Sequence, residues 1–97
     1  MPKFVIEREL PGAGNLSMEE LQAVSKKSCD VIIGMGHSVQ WMHSYVTDDK
    51  IYCVYFSPDE DKIREHATKG EFPVDRISRV STVIDPATAE PLFINQN

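Results

Sequence analysis

Ninety-seven residues, 41% of them hydrophobic and 26% charged, describe one ordinary globular domain rather than a disordered or membrane-embedded chain. The net charge of −5, with basic residues scattered among carboxylates, argues against a nucleic-acid partner, because phosphate binding needs clustered Lys and Arg. No apolar run approaches the roughly 18 residues of a membrane span, the Met-Pro-Lys-Phe-Val-Ile-Glu start is not organised as a signal peptide, and two cysteines without a Cys-x-x-Cys pair suggest reduced thiols; a cytoplasmic location is expected.

Lys3 to Glu9, with Phe4-Val5-Ile6 at its centre, reads as a first strand, and Pro11-Gly12-Ala13-Gly14-Asn15 as the loop that closes it. Ser17 and Glu20 form a capping box, and Leu16 and Leu21 stand at the positions of a hydrophobic staple, so a helix begins here. Leu21, Val24, Ser28, Val31, Ile32 and Met35 recur at three- and four-residue steps and define its inward face, which Gly34 and Gly36 end.

Ser38–Thr47 and Ile51–Phe56 are rich in aromatic and β-branched residues and flank Asp48-Asp49, which predicts a hairpin. Placing Thr47 opposite Lys50 sets Tyr45 opposite Tyr52, Ser44 opposite Cys53 and His43 opposite Val54. Strict alternation then puts Val39, Trp41, His43, Tyr45, Tyr52, Val54 and Phe56 on one face. Met42, Ser44, Val46, Ile51, Cys53 and Tyr55 fall on the other. Both faces are apolar, so both are expected to be covered.

Ser57, Pro58 and Glu60 repeat the helix-start pattern and predict a second helix to about Lys69, stopped by Gly70, with Ile63 and Ala67 inward and His66 at the edge of that stripe. A last strand is expected from Ile77 to Ile84. Asp85-Pro86 ends the domain, assigned to residues 1–86, and 87–97 is a tail whose Leu92-Phe93-Ile94 is suited to an edge strand or a partner. The resulting β-α-β-β-α-β order is the α+β, ferredoxin-like arrangement of two helices on one face of a four-stranded sheet. The leftover apolar face predicts a homodimer.

Chemistry centres on histidine. His43, on an aromatic strand face, is expected to be kept neutral by burial, and His43 and His66 are the candidate general bases. Against this stands the plain alternative of core histidines satisfied by hydrogen bonds. An aromatic ligand pocket would draw on Trp41, His43, Tyr45, Tyr52, Cys53 and His66, with Cys53 read as a buried spacer rather than a nucleophile. His37, His43 and His66 are the candidate metal ligands, although no His-x-x-x-His or Cys-x-x-Cys spacing fixes a chelate locally. Imidazole with carboxylate and water suits nickel, copper or zinc. Gly12 and Gly14 precede a helix, but the third glycine and the Lys-Ser pair of a phosphate loop are missing, so nucleotide binding is disfavoured.

The string Gln40-Trp41-Met42-His43-Ser44-Tyr45-Val46-Thr47-Asp48-Asp49-Lys50-Ile51-Tyr52-Cys53-Val54-Tyr55 resembles a family of small bacterial domains of unknown function, typified by an actinobacterial nickel-binding protein. The likeness extends to Phe4-Val5-Ile6-Glu7-Arg8-Glu9 with Pro11-Gly12, to Pro58-Asp59-Glu60 and Glu65-His66-Ala67, and to Phe72-Pro73. It implies a ferredoxin-like subunit pairing into a dimeric α/β barrel, and nickel binding for sequestration; it transfers no ligand residues. The alternatives are a cofactor-free dimeric-barrel enzyme of oxygenase or isomerase type, and a module that binds a small molecule without chemistry.

Overall fold

The computed structural model describes residues 1–91. Strand β1 spans Lys3–Glu9, helix α1 Met18–Gly34, β2 Gln40–Val46, β3 Lys50–Phe56, helix α2 Glu60–Gly70 and β4 Arg76–Arg79. Short 3-10 turns cover Ala13–Asn15 and Pro86–Ala89. The strands form one antiparallel sheet in the order β2-β3-β1-β4, so the chain is an α+β fold with four strands and two helices. No helix among the described residues is long and apolar enough to cross a membrane.

Local chemistry places the helices. Ser17 Oγ accepts from the Glu20 amide at 3.1 Å and the Glu20 carboxylate accepts from the Ser17 amide at 3.0 Å, which completes the capping box of α1. The start of α2 lies later than its sequence pattern suggests. Asp59, not Ser57, is the cap and accepts from the Lys62 amide at 2.9 Å, while the buried Ser57 hydroxyl donates to the Asp59 carbonyl at 2.6 Å. At the other end Gly70 stays inside the helix and Glu71 takes the left-handed conformation, φ 58°.

Alternation along β1 sends Phe4 and Ile6 to the face covered by the helices, where they join Ile51, Cys53 and Tyr55 of β3, Ile32 of α1 and Ile63 of α2 in the core. The hairpin register holds at Tyr45–Tyr52, Ser44–Cys53 and His43–Val54. It breaks between Trp41 and His43, where the extra residue Met42 makes a bulge and Trp41 pairs with Tyr55. Trp41 therefore belongs to the helix-covered face, against strict alternation, and its indole N–H donates to Ser44 Oγ at 2.9 Å. Val39, fully buried, joins the core as well.

The opposite sheet face carries Tyr45, Tyr52, Val54 and Phe56, as expected, but β1 adds Lys3 and Glu7. Lys3 lies over the Phe56 ring and Lys50 reaches both Glu7, at 3.7 Å, and the Tyr52 ring. That face is thus mixed rather than wholly apolar. The last strand is four residues, shorter than the Ile77–Ile84 expectation. It runs antiparallel to β1, and once the Val80 amide has bonded the Lys3 carbonyl at 2.8 Å it passes the end of its partner. Val83 and Ile84 are exposed beyond it. Leu92-Phe93-Ile94 lies outside the described residues.

Candidate functional site

The glycine loop after β1 is committed to the hairpin. The Gly14 amide donates to the Asp48 carbonyl at 3.0 Å, the Gly12 amide to the Asp49 carboxylate at 2.9 Å and the Leu10 amide to the Asp49 carbonyl at 2.9 Å. Amides used in this way are not offered to a phosphate.

The histidines are dispersed. His37 sits in the loop after α1 with φ 57°, exposed. His43 is exposed on the open sheet face, its ring edge-on to Tyr45 with centroids 5.0 Å apart. The burial anticipated for His43 falls instead on His66, which is 0% exposed between Tyr55 and Phe72. His66 Nε2 and Ser28 Oγ are 3.0 Å apart, and its Nδ1 has no partner. Burial, reinforced by the positive charge of Arg8, lowers its pKa and holds the imidazole neutral. Among the described residues no group of three or more His, Cys, Asp or Glu side chains is arranged to hold a metal ion.

A cavity of about 270 Å³ lies between α1 and the sheet. Its walls include Leu21 and Ser28 of α1, Trp41 of β2, Ile51, Cys53 and Tyr55 of β3, and Phe72. Of the residues expected to form an aromatic pocket, Trp41 and Cys53 line this cavity. Tyr45, Tyr52 and His43 stand on the other face of the sheet, and His66 lies behind Ser28. Neither candidate base lines the cavity, so the histidine-in-a-pocket geometry of a cofactor-free oxygenase or isomerase is not formed there.

Arg8 is the residue that the sequence reading passed over. It is 5% exposed and lines the cavity. Its Nη1 donates to the Pro73 carbonyl at 2.6 Å, its Nε approaches Cys53 Sγ at 3.5 Å, and its Nη2 is buried without a partner. The signal was available: Arg8 has the same parity as Phe4 and Ile6, so period-two alternation already points it at the core. Tyr55, 2% exposed, has its phenol pKa raised by burial and stays protonated. Cys29 is exposed and Cys53 buried, and both are free thiols.

Comparison with known proteins gives three findings. Residues 4–80 match the model of the SCO4226-like family, described as nickel responsive protein SCO4226-like. The crystal structure of SCO4226 from Streptomyces coelicolor A3(2) superposes with a TM-score of 0.72 at 14% identity, covering 84% of this chain and 99% of that one. At that identity the likeness establishes the fold. Leucine–tRNA ligases of Methanococcus maripaludis strains C5 and C7 are 32% identical over 72 residues, 62% of this chain, but the chain spans only 8% of their length.

Proposed function

We propose that this chain, which belongs to the SCO4226-like family of nickel responsive proteins, binds nickel as a homodimer of ferredoxin-like subunits whose open sheet faces pair into an α/β barrel. The observation that carries this is the position of His43. It is the one histidine on the face that the helices leave open, and it is exposed there.

One imidazole is a poor site by itself, and a single copy supplies no cluster of three donors among its described residues. A twofold pairing repeats every donor, so one exposed imidazole per subunit becomes two across the interface. Imidazole with carboxylate and water is a donor set that nickel accepts. His66, buried and engaged with Ser28, is removed from the ligand set anticipated for the metal, and exposed His37 lies in a loop apart from the sheet. Sequestration of the free ion is the role such a stoichiometric binder would serve.

Equilibrium dialysis against nickel at near-neutral pH tests the proposal, with metal content measured per subunit. Wild type should retain nickel, and His43→Ala should lose most of it while keeping its thermal transition. Wild-type protein that retains no nickel would end this proposal.

A further inference from the structure

We infer that the cavity between α1 and the sheet is a binding site for a small carboxylate with an apolar body, and that Arg8 recognises its charge. The inference is independent of nickel, since it rests on a different face of the sheet. Its basis is an incomplete arginine. A guanidinium cannot relieve burial by losing its proton, so a buried one demands hydrogen bonds and an anion.

Arg8 has one good acceptor, the neutral Pro73 carbonyl, and two weak ones, Cys53 Sγ and the Tyr55 hydroxyl. The Phe72 ring, 5.5 Å from Cζ, offsets part of the charge but accepts nothing from Nη2. No carboxylate forms an ion pair with Arg8 among the described residues. The chain therefore buries a planar donor fork with one arm empty, beside a cavity of about 270 Å³. A carboxylate is the group whose geometry matches that fork.

Two further donors converge on the same space. Tyr55 contributes a protonated phenol. Ser28 contributes a hydroxyl: when neutral His66 carries its proton on Nε2 and donates to Ser28 Oγ, the Ser28 proton is left for Tyr55, its hydrogen-bond neighbour, or for a ligand. That tautomer is favoured because it leaves Nδ1 a bare acceptor, which is cheaper to leave unpaired than a buried N–H. Most of the remaining wall, including Leu21, Trp41, Ile51 and Phe72, is apolar and suits a hydrocarbon or aromatic body rather than a fully hydrated anion. At the rim exposed Lys27 is paired with Glu71 at 3.8 Å, so recognition of a ligand's charge falls to Arg8.

Benzoate and benzamide, alike in shape and different in charge, are the probes. Labelled wild-type protein in EDTA is titrated with each while the Arg8 Nε–H and the indole N–H of Trp41, the only tryptophan in the chain, are followed by NMR. Benzoate should shift both signals and bind at least about tenfold more tightly than benzamide, the least expected of a charge-assisted pair. Equal affinity for the two, or shifts confined to surface lysines, would overturn the inference. Arg8→Met should erase the preference for benzoate; should that variant fail to fold, the comparison on wild type decides alone.

Discussion

His66 and Arg8 lie close enough for the arginine's charge to act on the imidazole, and burial treats them differently. The imidazole responds by staying neutral, whereas the guanidinium keeps its charge and must be compensated. Because the folded pKa of His66 is lowered from its ordinary 6.5, the unfolded chain takes up this proton more readily than the folded one. The contribution to stability is fully present above the ordinary value and is lost as pH falls through the window down to the folded one. Urea midpoints should therefore show wild type losing stability relative to His66→Gln as the pH drops below about 6.5, with the difference between them becoming independent of pH toward neutrality. At this scale the sequence was half legible. The periodicity of α2 placed His66 beside the inward stripe, but its complete enclosure depends on Tyr55, Phe72 and Ser28, which come from three other segments. Arg8 was legible by strand parity and was obscured by its charge, which ordinarily marks a surface residue.

Among the elements, the end of α2 shows how tertiary contact overrides a local signal. Gly70 is not the left-handed cap; a Cβ placed on it would overlap the Phe72 ring, so packing favours glycine there. Gly70→Ala should destabilise the fold by about 1–3 kcal/mol, as overpacking does, despite the better helix propensity of alanine. Glu71→Gly, which relieves a left-handed non-glycine residue, should be neutral or stabilising by up to about 1 kcal/mol. Chemical denaturation of the two variants, read side by side, separates packing from capping. The bulge at Met42 is the other departure. Strict alternation predicts the faces of His43, Tyr45 and the whole of β3, and fails for Trp41 because one inserted residue inverts parity beyond it. Nothing local to Gln40-Trp41-Met42 announces the insertion; it lets Trp41 reach Ser44 and the cavity.

For the molecule as a whole, the sheet has one face packed by two helices and one face that the described residues leave uncovered. Val54 sits on that open face opposite His43, 9% exposed, with Tyr45 beside it at 59%. If subunits pair there, Tyr45→Asp, at the exposed position beside His43, brings a like charge from each subunit to the interface and should convert a dimer to monomers in sedimentation velocity, while nickel retention falls with it. A wild-type protein that sediments as a monomer would remove the interface. The sequence by itself determined the order of the elements, the cap of α1, the span of β1 and the hairpin pairing from Tyr45–Tyr52 to His43–Val54. These follow from hydrogen bonds and side-chain periodicities within a few residues of one another. Tertiary structure alone decided which face Trp41 takes, where β4 stops and how Arg8 and His66 are enclosed. Each of these depends on atoms brought from distant parts of the chain: the end of β1 leaves β4 without a partner past Val80, and the cavity that leaves one arm of Arg8 unpaired exists only once α1 lies over the sheet.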